Sequence, residues 1–114
     1  MKKLLFAVFS MFLISVAGMA QEVGKTDFKD ARLATLKGDS ISLSDYVGKH
    51  KYVLVDFWAS WCGPCMREMP NVKAAYEKYK SRGLEIVGVS LDRDKAAWEA
   101  AVKRVGITWP QATD

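Results

Sequence analysis

Cys62 and Cys65 are the only cysteines in this 114-residue chain, and Gly63-Pro64 separates them. Two thiols at this spacing suit three chemistries: a dithiol–disulfide couple, a soft two-thiolate site for Cu(I), or a structural staple. If a helix begins at Gly63 or Pro64, Cys62 stands at its N-terminal end and Cys65 one turn further on. Residues three apart on a helix have Cβ atoms about 5–6 Å from one another, close to what a disulfide needs. Pro64 suits a first turn, where its missing N–H costs nothing. The free N–H groups and the positive dipole end of a helix start favour thiolate over thiol, so Cys62 is expected to ionise below the roughly 8.5 of a free cysteine. Cys62 is then the attacking thiol and Cys65 the resolving one.

The competing chemistries are constrained by what else the chain carries. A staple across so short a loop removes little unfolded-state entropy. Zinc usually takes four ligands, and the single histidine, His50, has no partner evident in sequence and reads as an exposed loop residue. A two-thiolate Cu(I) site stays open, and with it the alternative of a metallochaperone module.

Two acids and two tryptophans stand close to the pair in sequence. Asp56 falls within an apolar run, where a carboxyl is costly unless neutral or paired. Read as buried, it has a raised pKa and manages the proton of Cys65; read as surface-facing near a strand end, it is inert. Glu68, three residues after Cys65, shares nearly the same helix face, and by itself it reads as an exposed first-turn acid favoured by the dipole. Trp61 is expected at the surface, where with Gly63 and Pro64 it makes an apolar platform for a substrate chain. Trp58, Trp98 and Trp109 read as core.

The elements that must position these residues follow from pattern. Ala31–Leu36 and Ile41–Leu43 alternate about the turn signal Lys37-Gly38-Asp39-Ser40 and predict a hairpin. Ser44-Asp45 is expected to cap a single turn through Val47. Lys51–Trp58 and Leu84–Ser90 are continuous apolar runs and predict buried strands. Pro64–Ser81 predicts a helix with Met66, Met69, Val72, Ala75, Tyr76 and Tyr79 inward and Lys73, Glu77 and Lys80 outward, kinked at Pro70. Asp92 or Asp94 is expected to cap a further helix to about Val105, stopped by Gly106. Strand, helix, strand, helix implies parallel pairing through right-handed crossovers.

The run Val55-Asp56-Phe57-Trp58-Ala59-Ser60-Trp61-Cys62-Gly63-Pro64-Cys65 resembles the thioredoxin superfamily. Met66-Arg67-Glu68-Met69-Pro70 narrows the likeness to its secreted TlpA/ResA type, and Leu84–Asp92 and Gly106–Pro110 fit the same group. The resemblance covers about Phe28 to Asp114. It implies an α/β thioredoxin-like fold, a central sheet flanked by helices. It also implies thiol–disulfide oxidoreductase activity without a cofactor or metal, an Asp at position 56 that serves the second cysteine, and a tuning role for Glu68. Gly63-Pro64 is the thioredoxin dipeptide and implies a reducing poise, closer to about −270 mV than to the roughly −120 mV of a strong oxidant. The family's cis-proline loop, two antiparallel strands and final helix have no counterpart before Asp114, so the domain is expected to be incomplete, with its C-terminal strands and helix missing.

Met1-Lys2-Lys3, an apolar run from Leu4 to Gly18 and small residues before Gln21 read as a secretory signal peptide over 1–20; an uncleaved anchor is the variant reading, although the run is short for a span of roughly 20 residues. Residues 21–30 are polar and read as a disordered lead-in, and 31–114 as the thioredoxin-like domain. Lys2 and Lys3 belong to the signal segment, so 15 of the 17 basic residues face 13 acidic ones beyond it. That balance points to neither nucleic acid nor an anionic membrane as partner. The expectation is an exported, periplasmic or extracytoplasmic monomer that reduces disulfides in protein substrates, cytochrome apoproteins among them, and is recharged by a membrane thiol–disulfide electron donor. A third reading is an inactive fragment whose sheet edge beside the active strand lies uncovered.

Overall fold

The structure, a computed structural model, describes residues 28–114. The expected signal peptide and all but the last three residues of the lead-in lie outside the described residues. Strands β1 (Arg32–Thr35) and β2 (Ser40–Ser42) form the hairpin expected around Gly38. Asp30 ties this hairpin to the next turn: its carboxylate accepts from the Ser44 backbone N–H at 2.9 Å and from Ser44 Oγ at 2.6 Å. The single turn is a 3-10 helix over Leu43–Asp45. It begins earlier than expected because Ser42, not Ser44, occupies the cap; Asp45 Oδ2 accepts from the Ser42 N–H at 2.9 Å.

Strand β3 (Tyr52–Trp58), helix α1 (Gly63–Tyr79), strand β4 (Leu84–Ser90), helix α2 (Lys95–Val105) and strand β5 (Gln111–Thr113) follow. The sheet order is β2-β1-β5-β4-β3. The β3–β4 and β4–β5 pairs are parallel, and β1 joins β5 antiparallel. Both crossovers step in the same direction across the sheet, so both helices pack on one face. Trp58, Met69, Ile86, Trp98, Ala101, Ile107 and Trp109 are buried together there. Each large side chain so buried contributes about 1.5–3 kcal/mol. The alternate residues Leu33, Val89 and Ala112 make a smaller cluster on the other face, with Val55 and Leu43 against it.

Helix α1 runs on through Pro70. Lys73, expected in solvent, instead donates from Nζ to the Val105 carbonyl at 2.8 Å. It thereby satisfies one of the orphan acceptors at the end of α2, where Gly106 turns the chain at φ +74°. Asp94, not Asp92, caps the start of α2, accepting from the Ala96 N–H at 2.9 Å.

One expectation fails in part. β4 is buried along Ile86–Ser90, but β3 exposes Tyr52, Leu54 and Phe57, the last at 63%. A continuous apolar run reads as a strand covered on both sides. Among the described residues β3 is the sheet edge, paired only with β4, and that position leaves part of each face open.

Candidate active site

The two parallel strands β3 and β4 end side by side, Trp58 opposite Ser90. Carboxyl ends of parallel strands are where α/β sheets place their ligands, and here the turn after β3 carries the cysteines. Trp58 and Ala59 are buried and anchor it. The Cys62 N–H then donates to the Ala59 carbonyl at 3.1 Å, closing a tight turn. Cys62 itself is the N-cap of α1, with extended φ and ψ of −82° and 99°. Its sulfur accepts from the Cys65 N–H at 3.3 Å, so one of the free donors of the helix start is aimed at that sulfur. A donor in this place stabilises negative charge on sulfur.

Cys62 and Cys65 are joined as a disulfide, with Cα atoms 5.3 Å apart. The two cysteines differ in their surroundings. Cys65 packs against the buried cluster beneath the helices, while Cys62 is flanked by Trp61, 69% exposed, and by exposed Gly63 and Pro64. A partner reaching the bond from outside therefore meets the Cys62 side. No group of three or more metal-ligating side chains occurs among the described residues.

The acids divide. Asp56 lies on β3 on the same face as Trp58, two residues away, and thus on the side of the sheet that Cys65 packs against. It is half-buried, and burial raises its pKa above the usual carboxylate range, with no other cause acting. Glu68 is exposed, and its Oε1 accepts from Asn71 Nδ2 at 3.2 Å, one turn along the same helix. The structure thus puts Asp56 on the sheet face against which Cys65 packs and turns the Glu68 carboxylate outward.

Asp92 matters here although its sequence position suggested only a helix cap. Its carboxylate accepts from the Ser60 N–H at 2.9 Å, from Ser60 Oγ at 2.5 Å and from Ser90 Oγ at 2.7 Å. Burial pushes its pKa up, but the hydrogen bonds from Ser60 and Ser90 outweigh this and hold it below the usual range. Asp92 fixes Ser60, two residues before Cys62, to the end of β4. The only hint in sequence was an acid directly after a buried parallel strand, at the end of the sheet where the cysteines also emerge.

This sheet, with three parallel strands, an antiparallel hairpin and a Cys-Gly-Pro-Cys turn at a helix start, defines a thioredoxin-like fold with a disulfide centre. The AhpC/TSA family pattern matches residues 24–114, and the chain belongs to that family. It is 38% identical over 109 residues to the thiol-disulfide oxidoreductase ResA of Geobacillus kaustophilus, an overlap covering 96% of this chain and 60% of that protein. Among solved structures, the thioredoxin domain of a thiol-disulfide oxidoreductase from Bacteroides vulgatus superposes with a TM-score of 0.67 at 39% identity, over 75% of this chain and 59% of that one. A thiol:disulfide interchange protein from Bacteroides sp. gives the same TM-score and identity, over 75% and 55%. The chain thus spans 55–60% of the length of these three relatives and carries part of their fold.

Proposed function

We propose that this chain is the dithiol-bearing part of an exported thiol–disulfide oxidoreductase of the reducing kind. The observation that carries the reading is the placement of Cys62: it caps α1, its sulfur receives a backbone N–H, and it is bonded to Cys65 one turn away. In the reduced protein the Cys62 thiolate attacks a substrate disulfide, forming a mixed disulfide and expelling one substrate sulfur as thiolate. Cys65 gives its proton to the Asp56 carboxylate and attacks the Cys62 sulfur. The Cys62–Cys65 bond forms, the mixed disulfide breaks, and the second substrate thiolate leaves with the electron pair. Two electrons pass from the dithiol to the substrate; the Cys65 proton stays on Asp56 until solvent takes it, and the two substrate thiolates take their protons from solvent. Cys65 outcompetes external thiols because it is held within the same turn; effective molarities of well-oriented groups reach about 10⁵–10⁸ M.

Trp61, Gly63 and Pro64 form the exposed rim on which a substrate chain rests, and Glu68 adjusts the field at the helix start from outside. The basic start and apolar run of residues 1–20 support export, and hence disulfides in periplasmic proteins or cytochrome apoproteins as substrates and a membrane thiol–disulfide donor as electron source. The test is made on the full chain. Insulin reduction by a dithiol donor should be abolished by Cys62→Ser, and Cys65→Ser should accumulate mixed disulfide. Alkylation of Cys62 should titrate well below pH 8.5, the ordinary cysteine value. Alkylation that follows free cysteine, together with tight anaerobic Cu(I) binding and no insulin reduction, would replace this reading with the metallochaperone one.

A further inference from the structure

Asp56, Gly88 and Gln111 lie in one line across the sheet, Asp56 opposite Gly88 on β4 and Gly88 opposite Gln111 on β5. All three belong to the face that carries Trp58 and Ile86. Gly88 has no side chain, and the Gln111 side chain occupies the space this leaves: a Cβ built on Gly88 would lie 2.7 Å from Gln111 Oε1 and closer still to Nε2. Neighbouring strands are about 4.8 Å apart, so the Gln111 amide has already crossed one of the two strand spacings that separate it from Asp56.

The orientation of that amide is fixed. Trp58 Nε1 is only a donor, and it donates to Gln111 Oε1 at 3.0 Å. The oxygen is therefore committed to Trp58, which leaves Nε2 as the free end. Nε2 is buried and has no hydrogen-bond partner, a costly condition that native structures seldom leave unexplained. On the far side of the same glycine stands a desolvated carboxyl with no donor of its own. None of the charged groups of α1 (Arg67, Glu68, Lys73, Glu77, Lys78) or at the start of β4 (Glu85) acts on Asp56, and β5 carries no charged residue. A buried donor without an acceptor and a half-buried carboxyl without a protein donor thus stand on either side of Gly88.

We propose that Gln111 is a positioning residue for Asp56: its Nε2, held by Trp58 and admitted by the bare backbone of Gly88, donates to the Asp56 carboxylate when the dithiol is formed. The inference rests on the preceding reading of Asp56 as the group that takes the Cys65 proton. Ionised Asp56 is the proton-accepting state, and a hydrogen bond to a carboxylate favours that state. The same Gln111 amide then links Trp58, at the base of the active-site turn, to the acid beneath it.

The experiment is a carboxyl-carbon NMR titration of Asp56 in the reduced full chain, read beside the pH profile of insulin reduction. Gln111→Met, which keeps length and apolar packing, should raise the Asp56 midpoint by about one pH unit and move the inflection of the turnover profile with it. Gln111→Glu keeps an acceptor for Trp58 but sets a like charge beside Asp56, and should raise the midpoint further. Gly88→Ala must push the amide aside and should shift it in the same direction, which keeps the test available if one variant folds poorly. An Asp56 midpoint identical in the wild-type and variant proteins overturns the hydrogen bond. A turnover profile left unchanged by Asp56→Asn overturns the role of Asp56 instead, and it does so whatever the titration shows.

Discussion

Asp56 and Asp92 lie in neighbouring parts of the same sheet and titrate in opposite directions. Asp56 is inside β3, half-buried, with burial alone acting on it and raising its pKa. Asp92 is two residues past β4, also desolvated, yet the hydroxyls of Ser60 and Ser90 and the Ser60 N–H bring its pKa below the ordinary 3.8. Burial is common to both, so it does not decide the outcome. What decides is whether the sheet end supplies donors: Asp92 has three, and its charge serves as a fixed bracket for the active-site turn. Asp56 accepts no hydrogen bond from the protein in the disulfide form, and burial alone sets its pKa. One acid is held ionised by donors, and the other is left with burial alone acting on it.

The largest effect should come from removing the bracket. Asp92→Ala frees the Ser60 N–H and both hydroxyls at once, and hydrogen bonds to a charged group contribute about 1.5–3 kcal/mol each, so a loss of about 4–5 kcal/mol, the low end for three such bonds at a half-buried acid, is expected in chemical denaturation. Insulin reduction should fall with it, because Ser60 no longer holds the turn two residues before Cys62. A smaller loss, about 1–1.5 kcal/mol, is expected for Ser60→Ala, which removes one hydroxyl and leaves the N–H bond in place. If Ser60→Ala costs as much as Asp92→Ala, the bracket is one bond and not a network, and the contrast with Asp56 narrows.

The subtlest prediction separates the two acids by pH. The folded-state pKa of Asp56 is raised, so the native chain binds this proton more tightly than the unfolded chain does. Its burial cost is absent below 3.8 and appears as pH rises through the folded value. Asp56→Asn should therefore melt higher than wild type at neutral pH, the gap closing in acid. Asp92 has the opposite sign. Its stabilisation is fully present above 3.8 and is lost as pH falls through its depressed folded value, so Asp92→Asn should melt lower at neutral pH and converge with wild type in acid. Parallel melting curves from pH 2.5 to 7.5 check both; gaps that stay constant across that range would show that neither carboxyl is coupled to folding.

Much of this architecture was legible in the chain because its signals are local. The Lys37–Ser40 turn, the apolar period of α1 up to Tyr76, Asp94 before α2 and Gly106 after it all act within a turn or two; Tyr79, expected inward, is exposed at the end of the helix. Trp58, Trp98 and Trp109 are buried and Trp61 is exposed, which the pattern of their neighbours also indicated. Lys73 was misplaced because its partner, the Val105 carbonyl, lies 32 residues away on another helix. The exposure of Leu54 and Phe57 was missed because a run of apolar residues carries no mark of whether a further strand lies beside it.

The sequence by itself determined the chemistry at one point: two cysteines, a glycine and a proline in an order that places sulfur at a helix start, a matter of a few consecutive backbone angles. Only the tertiary structure decided which acids stand around that turn and what each is bonded to. The Ser60–Asp92 bonds and the Asp56-Gly88-Gln111 line join residues 23 to 32 positions apart, and such pairs exist only once strand order and register are set. A slip of one residue would turn every side chain on a strand to the other face, and Asp56 would then leave the face on which Trp58 and Cys65 pack.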